Sequence, residues 1–323
     1  MKIIIVGAGA LGSLYAACLA RAGHEVSLVA RGERARALAA HGMRVTGAEE
    51  FSARCTIVTE PRLLRSADLL ILATKTYDTA AALKPLRGLK VESAFSVQNG
   101  VQKNEALAQA FGPAAVLGAI SLIGAEILAP QGEAPGAVRY TRAGTTTLGE
   151  LAGGDSPRVE ELVRTMKGAG LNVEASERIA SVEWTKFVGW SGASALAVLT
   201  RQPTWRFLSD PDTALLVARV MRETAAVAQR LGIPLDDSAL ASAALLHRSE
   251  AEAVQLTQAF GRRLEATAPA LRQSMLQDAD RGRRLEVGET LDHTLSLAQR
   301  FGLPVPTLEL CCRVLRMVSR AAQ

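Results

Sequence analysis

Aromatic residues are scarce in this 323-residue chain: three tryptophans, three tyrosines and seven phenylalanines, 4% of the whole. The core must therefore be aliphatic, and a composition that is 48% hydrophobic and rich in Ala and Leu suits a helix-rich soluble protein. The same scarcity removes the interleaved aromatics of a nucleic-acid surface. No basic stripe accompanies the net charge of +5, so nucleic acid is not indicated, and the charge alone points no further than an anionic ligand. Four cysteines (Cys18, Cys55, Cys311, Cys312) show no C-x-x-C spacing, and the adjacent pair is poorly placed to bridge. A disulfide scaffold is excluded and a reducing cytoplasm fits. Four scattered histidines (His24, His41, His247, His293) lack metal-ligand spacing, so no metal site is expected. Apolar runs such as Leu69–Ala73 are strand-sized, which predicts no membrane span. Met1 leads straight into a strand pattern rather than a charged segment and an apolar one, so no signal peptide is expected.

Glycine, by contrast, is placed where it carries chemistry. The apolar run Lys2–Val6 passes directly into Gly7-Ala8-Gly9-Ala10-Leu11-Gly12, a G-x-G-x-x-G motif, and then into the helical pattern Ser13–Gly23. Val26–Ala30 closes a unit of about thirty residues. In this strand–turn–helix context Gly7 permits the tight turn, Gly9 lets backbone approach a pyrophosphate, and Gly12 lets helix pack on strand. The helix start offers free N–H groups and a positive dipole end to phosphates.

The residues just after the second strand select the dinucleotide. NAD-preferring units carry an acid there for the ribose 2′-OH. This chain has Arg31 at the tip, with Arg34 and Arg36 close behind, and a guanidinium forks onto a phosphate. The expectation is NADP(H); Glu33 is the nearby acid that would support NAD, and a solvated helix face is the plainer reading of the arginines.

Length allows two domains. Strand patterns Lys2–Val6, Glu25–Ala30, Leu69–Thr74, Ser93–Gln98 and Ala115–Gly118 alternate with helical ones, predicting a parallel, doubly wound α/β sheet of Rossmann type. Gly136–Tyr140 and Thr145–Gly149 read as a hairpin-type extension, and Ser156–Gly170 as a helix. Beyond Arg178 only helical patterns remain: Ile179–Leu199, Asp212–Leu231, Glu250–Ala268, Leu285–Phe301 and a last helix after Pro306. The expected division is a dinucleotide-binding domain over 1–177 and an all-helical domain over 178–323. Lys75 and Asn99 stand at the carboxyl ends of the third and fourth strands, where ligands of open α/β sheets lie. A surface lysine and an Asn-Gly turn are their bland readings.

Together these residues resemble the ketopantoate reductase (2-dehydropantoate 2-reductase) family. The resemblance is carried by Gly7–Gly12, Thr74-Lys75, Gln98-Asn99-Gly100, Gly118 through Gly124-Ala125, Glu183-Trp-Thr-Lys186, Ser274-Met-Leu-Gln-Asp278 and Arg283-Arg-Leu-Glu286. It implies NADPH-dependent reduction of a 2-oxo acid, 2-dehydropantoate to pantoate in pantothenate biosynthesis, by a cytoplasmic enzyme with a small-molecule substrate and no nucleic-acid or membrane partner. It further implies that Lys186 is the catalytic lysine, that Ser274 binds substrate, and that Glu286 lies near cofactor and reacting hydroxyl. Lys75 and Asn99 would stand beside nicotinamide and substrate, and Gly124 beside the cofactor.

The chain departs from the family where asparagines often follow the lysine by one and two turns: Trp190 and Ser194 stand there, and Thr204 replaces a further substrate asparagine. Lys186, Trp190 and Ser194 fall at i, i+4 and i+8 on one helix face. The three substitutions bear on substrate choice more than on reaction type, which keeps another 2-oxo acid, carbonyl or imine in view, as well as a non-catalytic NADP-binding sensor. From spacing alone Lys186 reads equally as a snorkelling surface lysine, Trp190 as core packing, and Glu286 as a first-turn glutamate. Apolar helices such as Leu285–Ala298 leave a homodimer face and ordinary core packing equally open.

Overall fold

A computed structural model describes residues 1–128, 136–142, 144–237 and 246–321. The chain divides into two compact units, Met1–Asn99 with Lys103–Ala180, and Gly100–Gln102 with Ser181–Gln323.

The first unit is built on five parallel strands in the order β5-β2-β1-β6-β7: β1 (Lys2–Val6), β2 (Glu25–Val29), β5 (Thr56–Val58), β6 (Ser66–Leu72) and β7 (Lys90–Ser96). Parallel strands are covered on both faces and so read as continuous apolar runs; Ile3, Ile4, Ile5 and Leu69–Leu72 are all fully buried. Helices α1 (Ala10–Arg21), α2 (Gly32–His41), α3 (Thr79–Leu83) and α4 (Lys103–Phe111) belong to the crossovers. The strand order turns about β1 and β6, whose register pairs Val6 with Leu72, and this is the topological switch point where ligands of such sheets bind.

Two smaller sheets complete the unit. One has the order β4-β3-β10-β9, from β3 (Met43–Gly47), β4 (Phe51–Ala53), β9 (Gly124–Ile127) and β10 (Ala137–Arg142). The other has the order β12-β11-β8, from β8 (Leu117–Ser121), β11 (Thr146–Glu150) and β12 (Val173–Ala175). This corrects two expectations. The segments read as a hairpin, β10 and β11, lie in different sheets: β10 pairs with β9 and β3, and β11 with β8 and β12. The predicted fifth parallel strand, Ala115–Gly118, makes one isolated parallel bridge, Val116 to Ala94 of β7, and then runs into β8, which pairs antiparallel with β11 instead of joining the main sheet. Alternation marks a strand in sequence but not its partner, which long-range packing selects. Helix α5 (Pro157–Gly168) starts as its sequence dictates, with Ser156 Oγ accepting from Val159 N–H and proline at the first turn.

The second unit contains no strand among the described residues. Its named helices are α6 (Ile179–Thr200, whose first two residues belong to the first unit), α7 (Thr204–Ser209), α8 (Pro211–Arg230), α9 (Glu250–Thr267), α10 (Ser274–Asp280), α11 (Leu291–Arg300) and α12 (Pro306–Ala321). Its aliphatic core joins Val188, Leu196, Val217, Met221, Leu276, Leu291 and Leu308, all at most 2% exposed. Ser249 opens α9 with a complete capping box to Glu252, and Asp210 caps α8 through Thr213 N–H. Close helix packing rests on small residues: a Cβ on Gly192 of α6 would lie 2.8 Å from Val217 O of α8.

The helix expected over Leu285–Phe301 begins only at Leu291. Val287 O instead receives Thr290 N–H and Asp292 N–H in a turn around Gly288, and Thr290 Oγ1 donates to Glu286 O. Glycine inside a would-be helix carries the largest entropic cost of any residue, and only proline is less favourable there in total. Glu286 is thus a buried turn residue, 4% exposed, rather than a solvated first-turn glutamate. No described helix is long and apolar enough to cross a membrane.

Candidate active site

The glycine loop follows from steric necessity. Gly7 stands at φ +112°, and a Cβ there would lie 2.8 Å from Ala73 C and Thr74 N. A Cβ on Gly12 would lie 2.0 Å from Gly7 O, so only glycine lets α1 start this close to the strand. At Gly9 the nearest atom to a Cβ would be Ala73 O at 3.8 Å, so this backbone is open to a ligand. Gly9 is the N-cap of α1, and no side chain caps it. An uncapped helix start behind an approachable backbone suits a pyrophosphate, and these residues fit the dinucleotide that the sequence pattern implies.

The arginines behind β2 separate in role. Arg31, the N-cap of α2, points outward, its side chain 82% exposed, and pairs with Asp78 Oδ2 at 3.1 Å. Arg34 turns inward: Nε donates to Ala8 O at 3.3 Å, and NH2 to Ser13 Oγ at 3.1 Å and Gly136 O at 3.5 Å. Burial lowers the Arg34 pKa from its usual range. Arg34 therefore braces the glycine loop from within, a role that no spacing in the sequence signals. Arg36 is exposed.

Lys75 and Asn99, both part-buried, follow the carboxyl ends of the adjacent strands β6 and β7. Between them lies a network whose side-chain partners the sequence does not show, although Thr74 and Gln98 stand within the motifs that carry the resemblance. Gln98 is 5% exposed; its Nε2 lies 3.0 Å from Thr74 O, 3.1 Å from Thr74 Oγ1 and 2.8 Å from Thr79 Oγ1, and its Oε1 accepts from Ser96 Oγ. Lys103, also 5% exposed, donates from Nζ to Ala119 O at 2.5 Å and Gln98 O at 3.4 Å. Gly124 opens β9, opposite Arg142 of β10.

In the second unit Lys186 and Trp190 are part-buried on α6. The Trp190 ring stacks on Phe187 at 5.8 Å and 23°, and Phe187 meets Trp184 edge-on at 5.9 Å. Trp190 packs against the apolar core of its unit. Ser194 is fully buried, and its Oγ has no hydrogen-bond partner. Thr204 opens α7 and is 2% exposed, its Oγ1 accepting from Gln273 Nε2 at 3.3 Å. Ser274 begins α10 and is exposed, whereas Asp278 of the same helix is 4% exposed. Thiol chemistry has no support here: burial pushes Cys18 up to about 12 and Cys311 up to about 11. Among the described residues no group of His, Cys, Asp and Glu could hold a metal.

A parallel sheet whose switch point ends in a glycine-lined, uncapped helix start defines a Rossmann-type dinucleotide-binding protein, here carrying a second, helical unit. Residues 3–153 match the family "Ketopantoate reductase PanE/ApbA" and residues 178–319 its C-terminal counterpart. The 2-dehydropantoate 2-reductase of Pyrococcus abyssi is 30% identical over 309 residues, 95% of this chain and 94% of that protein. A PanE/ApbA family ketopantoate reductase from Ralstonia eutropha JMP134 is 27% identical, with a TM-score of 0.83 over 100% of both chains. D-mandelate dehydrogenase, in a ternary structure with NADH and anilino(oxo)acetate, shares the fold at a TM-score of 0.83 and 21% identity, covering 100% of this chain and 99% of its own. The chain belongs to the ketopantoate reductase family: it is an oxidoreductase acting on CH–OH groups and dependent on a nicotinamide dinucleotide.

Proposed function

We propose that this protein reduces 2-dehydropantoate to pantoate with NADPH, a step of pantothenate biosynthesis, in the cytoplasm. The observation that carries the reading is the full-length likeness to the Pyrococcus abyssi 2-dehydropantoate 2-reductase, in a chain that keeps Lys75, Asn99, Lys186, Ser274 and Glu286 together. Four unbridged thiols accord with a reducing compartment. The choice of NADPH rests on Arg31, an exposed guanidinium at the end of β2, where a 2′-phosphate would be forked.

When bound, the reduced nicotinamide supplies the hydride. Reduction leaves negative charge on the former carbonyl oxygen, and the Lys186 ammonium donates the proton that quenches it. Glu286 orients that ammonium and accepts from the product hydroxyl. Ser274 presents an exposed hydroxyl, and Asn99 an amide, to the carboxylate or carbonyl without titrating themselves. The glycine loop and the start of α1 hold the pyrophosphate.

One observation favours a second reading, the same chemistry on a different 2-oxo acid. Trp190 is stacked into its own core and Ser194 is buried, so neither offers the amide found in many relatives at these places. NADPH oxidation, followed by absorbance with 2-dehydropantoate and a panel of 2-oxo acids, NADH serving as control, tests both. Turnover of 2-dehydropantoate with NADPH is expected. Turnover of another acid, with 2-dehydropantoate inert, would transfer the assignment to that acid; NADPH binding without turnover of any acid would overturn the reductase reading.

A further inference from the structure

The ladder between β6 and β7 ends at the Leu72–Ser96 pair, followed by the Val97 N–H to Leu72 O bond. Beyond it both strands continue as tips that carry Lys75 and Asn99. A side chain joins these tips: the buried Gln98 amide donates across to Thr74 O and to the hydroxyl of Thr79 at the start of α3. Gln98 is itself fixed at both ends. Ser96 Oγ donates to Oε1, and Lys103 Nζ donates to its backbone oxygen. A carboxamide carries an acceptor oxygen and two N–H donors, so it can accept from Ser96 while donating to two partners across the gap.

We propose that Gln98 is a positioning residue, a side-chain rung that extends the β6–β7 ladder past its backbone end and thereby sets the separation of Lys75 and Asn99. The proposal rests on the reading of those two residues as neighbours of nicotinamide and substrate. Its consequence falls first on Lys75 and Asn99; the glycine loop, packed on Ala73 and Thr74, and Arg31, paired with Asp78, adjoin the same β6 tip and feel the rung at second hand.

The test is amide hydrogen exchange of the ligand-free protein over segments 73–79 and 96–100, together with 2′,5′-ADP affinity and steady-state kinetics, for wild type, Gln98→Leu and the milder Ser96→Ala. Should Gln98→Leu fail to fold, Ser96→Ala is judged by the same readouts. Expected is exchange faster by at least about 10-fold at both segments and unchanged in strands away from them, with 2′,5′-ADP affinity falling less than kcat. Displacement of the reacting groups lowers kcat by roughly 10- to 100-fold with little change in KM. Unchanged exchange at the two segments overturns the proposal. So does a kcat that survives local loosening, or exchange that quickens equally across the whole unit, which marks a general stability role. If wild type reduces no 2-oxo acid, the proposed function falls, and the exchange pattern still decides the rung.

Discussion

Nε of Arg34 donates to the carbonyl oxygen of Ala8 at 3.3 Å, inside the loop whose outer face is open at Gly9. The guanidinium thus holds the loop and adds positive charge behind it. Replacing Arg34 by Met keeps the aliphatic stem and removes three donor contacts. At about 0.5–1.5 kcal/mol per hydrogen bond, loss of the one that reaches the loop, Arg34 Nε to Ala8 O, is expected to lower NADPH affinity, measured by fluorescence titration, roughly 2- to 12-fold. An unchanged Kd would leave Arg34 no part in shaping the loop.

Arg31 acts from outside. Its ion pair with Asp78 is exposed and contributes little to stability, so Arg31→Ala is expected to leave Tm unchanged. A charge-assisted phosphate contact is worth about 1.5–3 kcal/mol, so kcat/KM for NADPH should drop roughly 10- to 100-fold while that for NADH stays level. Equal losses with both cofactors would remove the basis for the NADPH assignment.

Lys186→Ala is expected to lower kcat by at least roughly 100-fold, the range that loss of a general acid gives, with NADPH affinity retained. A near-normal kcat would sink the assignment of Lys186.

Gly12→Ala puts a Cβ 2.0 Å from Gly7 O, which no rotamer can relieve. The variant should lose cofactor binding, and its denaturation midpoint should fall by an amount set by overpacking, typically about 1–3 kcal/mol or more. Chemical denaturation and NADPH titration of the same sample check both.

Glu150 accepts from Arg158 at 2.6 and 2.5 Å and from Ser156 at 2.6 Å. The Arg158 hydrogen bond, chief among the causes, holds its carboxyl below the usual value. A carboxyl more acidic in the folded than in the unfolded state stabilises above its unfolded pKa, and that contribution is lost as pH falls through the folded value. Acid melting curves should therefore show Glu150→Gln less stable than wild type near neutrality, with the gap closing below the ordinary carboxylate range. A gap that stays constant with pH would assign the loss to packing.

Much of the fold is legible in the chain because its pattern is local. Gly7, Gly9 and Gly12 are dictated by contacts within one strand–turn–helix unit, and the apolar runs of β1 and β6 announce a sheet covered on both faces. Helices α5, α8 and α9 are fixed at their starts by Ser156, Asp210 and Ser249, caps that act within three residues. The illegible parts depend on distant partners. Nothing near β10 and β11 says that they join different sheets, and short strands such as β4 and β12 carry too few residues for a period. The inward turn of Arg34 and the burial of Lys103 are decided by residues far along the chain. Glu286 is recognisable by family likeness, but its turn is not, since Gly288 tips a balance that helical periodicity otherwise favours.

The notch at Gly192 bears on more than packing. Lys186 lies six residues away on the same helix, roughly 9 Å along its axis. With Val217 O only 2.8 Å from where a side chain would begin, α6 and α8 approach as closely as they do because this position carries no side chain. The helix that carries the lysine thus takes its seat against α8 at a residue with no functional group of its own. Under the proposed function, substitutions at Trp190 or Thr204 would change which acid is accepted while leaving the seat of the helix that carries Lys186 as it is.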